Sequence, residues 1–268
     1  MIGQKTIQSE LNKITSLDTL PKSIIACGKK GCGKHLLTEM IVAKYNLEVE
    51  NLDYELSLEV LNHMYTLTRP KLFIIDNDAL KEFKRILRFQ NTLLKFIEEP
   101  PKFAWIIILT EDIQDLIVTI RNRCQIFKFK PYTLEELKEA QQLFDKHFTD
   151  EQLELLQTPG VIKSTLENDA EELWRLTDMV IDSLPKATPA NALSLTKKFF
   201  TDESKDLDLF LVFMKANLTQ RYSSNQVPSY YWAYLETKKL SESYKNIMNL
   251  NKKDMFENYV LKLKRVLS

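Results

Sequence analysis

The feature that most constrains this chain is a cluster of glycines directly after a short apolar run. Ser23–Cys27 is typical of a buried strand, and Gly28-Lys-Lys-Gly-Cys-Gly33-Lys34 follows it and leads into a helical pattern. The chain has only five glycines in 268 residues, and three of them (Gly28, Gly31 and Gly33) fall in this loop. Strand, glycine-rich loop and helix in this order indicate a P-loop, whose backbone N–H groups surround phosphate oxygens. A plain glycine turn between strand and helix is the alternative interpretation.

The residues that would serve phosphates and a metal ion follow the P-loop pattern only in part. Lys34 has the position that reaches the β- and γ-phosphates, so ATP or ADP is the expected ligand. His35 stands where a Ser or Thr hydroxyl normally binds Mg²⁺, and imidazole is a poor ligand for this hard cation. Asp76 ends a second apolar run as the expected acidic partner of Mg²⁺, but Asn77 follows and cannot act as a general base. The pattern predicts phosphate binding and disfavours Mg²⁺ binding and hydrolysis.

Alternating apolar and amphipathic segments predict the fold class of the first half. The strand candidates are Ser23–Cys27, Lys71–Ile75, Trp105–Leu109 and Gln125–Phe129. The helical candidates between them are Lys34–Tyr45, Leu56–Leu67 and Lys81–Ile97. Strands that are apolar on both faces and alternate with helices predict an α/β fold with a parallel sheet. From Thr133, which forms a capping box with Glu136, the pattern is helical.

The charge distribution divides the chain into three predicted domains. Residues 1–130 hold 19 Lys+Arg against 16 Asp+Glu, residues 133–184 hold 4 against 13, and residues 185–268 hold 14 against 8. These shifts coincide with Pro131 and with the pair Pro185 and Pro189, where linkers are expected. We therefore predict a P-loop domain over 1–132 and small helical domains over 133–184 and 185–268.

Composition excludes several classes of protein. A chain with 44% hydrophobic and 28% charged residues is not expected to be disordered. Three cysteines are too few for a disulfide framework or a four-ligand zinc site, so no metal site is expected, and Cys32 in the loop is predicted to be the most exposed of them. No apolar run is long enough to cross a bilayer and the first residues lack a signal-peptide core, so we expect a cytoplasmic protein without a membrane partner.

A longer motif connects the chain to a known family. Asn91-Thr-Leu-Leu-Lys-Phe-Ile-Glu-Glu-Pro-Pro101 closely resembles the N-A-L-L-K-x-L-E-E-P-P signature of bacterial clamp loader subunits, which are AAA+ proteins. Trp105–Thr110 is similar to the family's strand that ends in sensor 1. Thr119-Ile-Arg-Asn-Arg123-Cys-Gln125 resembles the T-I-x-S-R-C-Q segment that carries the arginine finger. Ile2-Gly3-Gln4 is similar to the I-G-Q box that lies against adenine. The matches follow the family order over about residues 1–132.

The resemblance is to delta-prime-type subunits of the DNA polymerase III clamp loader. It implies an AAA+ P-loop sheet with helices, a helical lid domain at 133–184 and a helical collar domain at 185–268 that joins subunits into a ring. The implied partners are other loader subunits in a hetero-pentamer, the sliding clamp and primer–template DNA. Arg123 is implied as a finger donated to the ATP of a neighbouring subunit; a structural salt bridge at the domain boundary is the alternative.

The departures from the family pattern lower the expected activity. The zinc module that relatives often carry between the two apolar runs is absent, so no zinc is expected. Asn122 replaces the family serine, and Lys163 stands where sensor 2 would be an arginine. We therefore predict an assembly subunit that is not an efficient ATPase alone. A hydrolytically active AAA+ ATPase acting on DNA is the alternative, and a small-molecule P-loop kinase ranks last because it leaves Asn91–Pro101 unexplained.

Two smaller signals remain open. Lys81, Lys84, Arg85 and Arg88 share one helix face, which could contact DNA phosphates or simply be a solvated surface. Glu98 and Glu99 are adjacent and could act as paired catalytic carboxylates. Inside the signature we expect them instead to cap a helix end or to hold a contact between subunits.

Overall fold

The computed structural model describes residues 2–52, 58–77, 86–143, 148–167, 170–194, 207–246 and 252–268. These residues form two units, which are described separately. The first unit comprises Met1–Ala140 together with Thr158–Gly160, and the second comprises Gln141–Gln157 together with Val161–Ser268. The predicted division of the helical part into a lid and a collar stays a prediction.

The first unit is built on a five-stranded sheet in which every neighbouring pair is parallel, with strand order β2-β3-β4-β1-β5. Its strands are β1 (Ser23–Cys27), β2 (Glu48–Asn51), β3 (Lys71–Asp76), β4 (Ala104–Thr110) and β5 (Gln125–Lys128). Its helices are α1 (Lys5–Lys13), α2 (Lys34–Tyr45), α3 (Leu58–Tyr65), α4 (Ile86–Glu98), α5 (Val118–Arg121) and α6 (Leu134–Gln141). The predicted α/β fold with a parallel sheet, followed by helices, is confirmed.

Helices cover both faces of this sheet, as its continuous apolar strands require. On one face, Ile25, Phe73 and Ile106 pack against the apolar side of α4. On the other face, alternate residues of the same strands pack against α1 and α2. All residues of β1 and β4 are buried, which explains why their patterns show no polar alternation.

Strand β2 was not predicted, because its sequence Glu-Val-Glu-Asn lacks an apolar run. It pairs with β3 at the edge of the sheet, with Glu48 beside Lys71 and Glu50 beside Phe73. Lys71 also reaches the Glu50 carboxylate at 3.0 Å across the two strands. Backbone pairing and this ion pair, rather than burial of side chains, stabilise β2.

The capping box predicted at Thr133 is present. The Thr133 N–H donates to Glu136 Oε2 at 2.9 Å, and the Glu136 N–H donates to Thr133 Oγ1 at 3.3 Å. The box begins α6 directly after the linker that contains Pro131. The change from strand to helix therefore occurs where the sequence predicts it.

The second unit is helical throughout its described residues. Its helices are α7 (Asp150–Leu156), α8 (Pro159–Glu167, which begins in the first unit), α9 (Ala170–Ser183), α10 (Leu207–Asn225), α11 (Pro228–Asn246) and α12 (Lys252–Leu267). Phe210, Phe256 and Tyr259 lie in its core, and the Tyr259 hydroxyl is 2.9 Å from Thr237 Oγ1. None of the described helices has the length and apolar content to span a membrane.

A polar network joins α9 to α10 within this unit. The buried Asn217 amide donates to Asp178 Oδ1 at 2.9 Å and to Thr177 Oγ1 at 3.1 Å. Its carbonyl accepts from Arg221 Nε at 2.9 Å, while the two Nη atoms of Arg221 bind Asp178 at 2.6 Å and Asp182 at 2.5 Å. The hydrogen bond from Arg221 holds the pKa of the Asp182 carboxyl below its ordinary value.

We predict that Arg221→Met lowers the free energy of unfolding by about 1–3 kcal/mol, because the buried Asn217 carbonyl loses its donor. Urea denaturation of the purified chain measures the change. Lys239→Met is the matched control: the Lys239 side chain is 68% exposed, and its ion pair with Glu236 is expected to contribute about 0–1 kcal/mol. The difference between Arg221→Met and wild type should shrink as the pH falls below the ordinary aspartate pKa of about 4. The unfolded chain then binds a proton, while Asp182 of the folded wild-type chain keeps its charge to lower pH. Equal losses in both variants would contradict the assignment.

Candidate functional site

The glycine-rich loop joins β1 to α2 at the edge of the sheet where the strands end, here called the carboxyl edge. Gly33 caps α2 with φ of +105°, a left-handed conformation that residues with side chains rarely adopt. The Gly28 N–H donates to the Thr110 carbonyl at 3.0 Å and so ties the loop to the end of β4. Gly31 lies between them with φ of +75°. The three predicted glycines therefore form one loop at a helix N-terminus, an arrangement suited to phosphate.

Lys34 and His35 begin α2 with opposite environments. The Lys34 side chain is buried, and its Nζ donates to the Gly28 carbonyl at 2.5 Å and to the Lys29 carbonyl at 3.4 Å. Lys34 therefore folds back over the loop that it would serve. His35 is exposed on the first turn of the helix.

The prediction that Cys32 is the most exposed cysteine is wrong. Cys32 is buried, and a side chain added at Gly28 would come within 2.9 Å of its Sγ atom. Burial raises the pKa of the Cys32 thiol to about 11, so the group stays protonated near neutral pH. The loop curls over this sulfur, which packs with the core under the loop.

Two distant segments hold the outside of the loop through three consecutive carbonyls. Thr158 Oγ1 donates to the Lys30 carbonyl at 2.9 Å, and the Gly160 N–H donates to the Gly31 carbonyl at 2.9 Å. The Tyr132 hydroxyl donates to the Cys32 carbonyl at 2.7 Å. Burial raises the pKa of Tyr132 to about 12, so the phenol keeps the proton that it donates. The loop conformation is thus fixed by the protein itself.

The side chain of Gln4, in the predicted I-G-Q box, is fully engaged by the protein backbone. Its Nε2 donates to the Lys130 carbonyl at 2.9 Å, and its Oε1 accepts the Lys130 N–H at 3.0 Å. This buried pair anchors the N-terminal segment beside the linker that carries Tyr132.

The two residues at the end of the second apolar run have different surroundings. Asp76 is the last residue of β3 at the carboxyl edge and is partly exposed. Asn77 is buried; its Nδ2 lies 3.5 Å from Thr110 Oγ1, and its Oδ1 accepts from Gln90 Nε2 at 3.2 Å. Asn77 is therefore bound into the protein. His35 offers no oxygen, and the amide oxygen of Asn77 already accepts from Gln90. Among the residues that the structure describes at the end of β3, Asp76 supplies the carboxylate, and this donor set does not fit the oxygen-rich coordination that Mg²⁺ requires.

Gln90 is the residue at this site that sequence reasoning missed. It is buried on α4, and its Nε2 also donates to the Asp115 carbonyl at 2.9 Å while its Oε1 accepts the Ile117 N–H at 2.9 Å. One amide thus connects Asn77 to the start of α5. The available signal was a glutamine inside an apolar helix pattern, directly before the Asn91 signature.

Arg123 follows α5, and its side chain makes two contacts with described residues of its own chain. Nη2 lies 3.1 Å from Glu98 Oε1, and Nη1 donates to the Thr119 carbonyl at 3.1 Å. The side chains of Arg123 and Glu98 are 43% and 51% exposed. Glu98 therefore contacts the predicted finger within the chain.

The parallel sheet separates Arg123 from the glycine-rich loop. In the pairing of β1 with β5, Ile24 lies beside Gln125 and Cys27 beside Lys128. The loop follows Cys27 at the carboxyl edge, whereas Arg123 precedes Gln125 at the opposite, amino edge. At about 3.3 Å per residue, the strands separate the two positions by at least about 10 Å. Arg123 does not share a site with its own loop.

The predicted basic face falls largely outside the described residues. Lys81, Lys84 and Arg85 are not among the residues that the structure describes. Arg88 belongs to the first turn of α4. The DNA contact assigned to these four residues stays a prediction.

Comparisons with known proteins point to one family. A family model described as "DNA polymerase III, delta subunit" matches residues 46–133. DNA polymerase III subunit gamma of Buchnera aphidicola subsp. Schizaphis graminum is 25% identical over 171 residues, 51% of this chain and 46% of that protein. DNA polymerase III subunit delta' of Bacillus subtilis is 49% identical over 41 residues, 15% of this chain and 12% of that protein. The matches span less than half the length of these curated relatives.

A solved structure aligns with nearly all of this sequence. A DNA polymerase III gamma subunit-related protein from Thermotoga maritima aligns with 99% of both chains, at a TM-score of 0.51 and 16% identity. This likeness supports the AAA+ fold. The sequence matches support the DNA polymerase III clamp loader family, and the gamma relative matches over a longer stretch than the delta' relative.

We predict that Gly160→Ala destabilises the chain by about 1–3 kcal/mol through overpacking against the loop. The added methyl group would lie 2.6 Å from Gly31 Cα and 2.7 Å from the Gly31 carbonyl oxygen. Alanine is otherwise the better helix former, so a loss of stability in thermal and urea unfolding reports on this contact. Lys163→Ala, an exposed change on the same helix, is the control and should stay within about 0.5 kcal/mol. A stabilised Gly160→Ala variant would show that the contact is not tight.

Proposed function

We propose that this chain is a delta-prime-type subunit of the DNA polymerase III clamp loader. In this role it helps to load the sliding clamp onto primed DNA and lends Arg123 to ATP held by a neighbouring subunit. The observation that carries the proposal is the position of Arg123. It lies in a segment that resembles the arginine-finger motif, half-exposed, at the edge of the sheet opposite its own glycine-rich loop.

A guanidinium in this position is suited to a phosphate outside its own subunit. Arginine is always charged and offers a planar fork of donors that matches phosphate oxygens. Because at least about 10 Å of strand separates Arg123 from its own loop, a phosphate that it contacts belongs to another subunit. The exposed ion pair with Glu98 contributes about 0–1 kcal/mol to the stability of the fold. Stabilisation of the fold therefore explains poorly why an arginine stands at this position.

The chain's own site is proposed to bind ATP or ADP with little turnover. Gly28, Gly31, Gly33 and Lys34 supply the phosphate cradle. His35 offers no hydroxyl, and Asn77 is held by Gln90 and Thr110, so neither an oxygen-rich Mg²⁺ site nor a general base is at hand. The intact loop geometry is the observation that favours the rival function, a hydrolytically active AAA+ ATPase acting on DNA.

The proposed partners follow from the family. They are other clamp loader subunits in a hetero-pentamer, the sliding clamp, and primer–template DNA reached through the assembly, with Lys81, Lys84, Arg85 and Arg88 as candidate phosphate contacts. A replication protein of this kind is proposed to work in the cytoplasm.

We predict that the isolated chain hydrolyses ATP at background rate, because its site lacks the Mg²⁺ hydroxyl and the general base. Phosphate release with ATP and Mg²⁺ measures turnover, and Lys34→Ala provides the blank. Nucleotide binding without turnover agrees with the proposal. A rate of about 10 s⁻¹ that Lys34→Ala abolishes would establish the rival function.

We predict that Arg123→Ala lowers the DNA- and clamp-stimulated ATPase of the reconstituted loader at least about tenfold, or roughly 1.4 kcal/mol of barrier. Fingers supplied in trans can be worth about 10³–10⁵ in rate. Arg123→Lys should restore little, because a point charge does not reproduce the fork.

The control for this experiment lies two residues away. Arg121 binds Gln114 Oε1 at 2.8 Å, and Arg121→Ala should leave the stimulated rate near wild type. The melting temperature and nucleotide binding of isolated Arg123→Ala should also be unchanged. A destabilised subunit with normal loader ATPase would assign Arg123 to a structural salt bridge.

A further inference from the structure

Glu98 occupies the part of Arg123 that would meet a phosphate. Its carboxylate lies 3.1 Å from Nη2, in a single contact between two half-exposed side chains. Carboxylate and phosphate oxygens bind the same guanidinium donors. A phosphate that approaches Arg123 therefore encounters a fixed negative charge already bound there.

Arg123 is also held by the backbone of its own segment. Nη1 donates to the carbonyl of Thr119, four residues earlier in the same segment, at 3.1 Å. The Arg123 N–H also donates to the Ile120 carbonyl at 3.1 Å. The Nη1 contact holds the guanidinium against its own segment, and the N–H contact holds the backbone of Arg123. Glu98, the last residue of α4, adds a negative charge to this arrangement.

We propose that Glu98 is an intramolecular competitor for Arg123, holding the guanidinium until the phosphate of a neighbouring subunit displaces it. The inference rests on the proposed function of Arg123 as a finger. Two anions on one guanidinium repel each other, so engagement of the phosphate requires the Glu98 contact to open. An exposed pair opens easily, which limits the restraint to a factor of about two to five.

The test compares Glu98→Gln with Glu99→Gln in the loader reconstituted from the full chain and its partner subunits. Both changes remove one charge from neighbouring exposed positions, but the structure gives an ion pair with Arg123 to Glu98 only, within the described residues. Glu98→Gln should raise the ATPase without DNA and clamp about two- to fivefold, and Glu99→Gln should match wild type. The increase should vanish when Arg123→Ala is added.

A second readout uses the isolated full-length chain. Phenylglyoxal modifies accessible arginines, and its rate at Arg123 is followed by peptide mass spectrometry with Arg121 as an internal reference. Glu98→Gln should accelerate modification of Arg123 about two- to fivefold, and Glu99→Gln should not.

The outcomes separate this inference from the function on which it rests. If Arg123→Ala lowers the loader ATPase but Glu98→Gln equals Glu99→Gln, competition is wrong and the finger remains. A lower rate in Glu98→Gln would also overturn competition, because Glu98 would then help to place the finger. If Arg123→Ala leaves the loader ATPase at wild-type level, the proposed function fails, and competition fails with it.

Discussion

Parallel pairing of β1 with its two neighbours, β4 and β5, is the constraint on which the arrangement of this protein depends. It places the ends of all strands on one edge, so the glycine-rich loop, Asp76 and Thr110 lie near one another without being close in sequence. The same direction of pairing puts the start of β5, and Arg123 before it, at the other edge. One property of the sheet thus supplies two chemically distinct surfaces.

Polar groups at the end of β3 show how buried amides fix the carboxyl edge of this sheet. Asn77 and Gln90 are buried amides whose oxygen and nitrogen atoms bind protein partners. A buried polar group without a hydrogen-bond partner lowers the stability of a protein. Each of these amides therefore holds the other in place by satisfying it. An amide at position 77 therefore stabilises the end of β3, where a carboxylate would instead carry charge into the core.

Much of the fold could be predicted because burial leaves a clear pattern in sequence. The four apolar strands, the helix after the loop and the capping box at Thr133 all follow from local periodicity or local hydrogen bonding. Strand β2 could not be found, since it depends on pairing with β3 and on Lys71 reaching Glu50. An edge strand of charged residues has no periodicity that distinguishes it from a loop.

In the candidate site, too, features that depend on local sequence could be predicted and features that depend on distant contacts could not. The loop glycines and Lys34 are local in sequence and lie together as their spacing predicts. Contacts between distant segments were not predictable: Thr158 with Lys30 and Arg123 with Glu98 depend on the packing of whole elements. The burial of Cys32 was missed because the path of the loop, rather than residue type, decides its exposure.

The bracing of the loop by Thr158 and Gly160 has a consequence for how the chain acquires its structure. These residues are separated from the loop by about half the length of the protein, and the first unit is interrupted by Gln141–Gln157. Contacts between such distant segments form late, because the chain between them must first be ordered. As the protein emerges from the ribosome, the sheet can pair once β5 is available, while the loop still lacks its outer support. The loop can therefore acquire its outer support only after synthesis has passed Gly160.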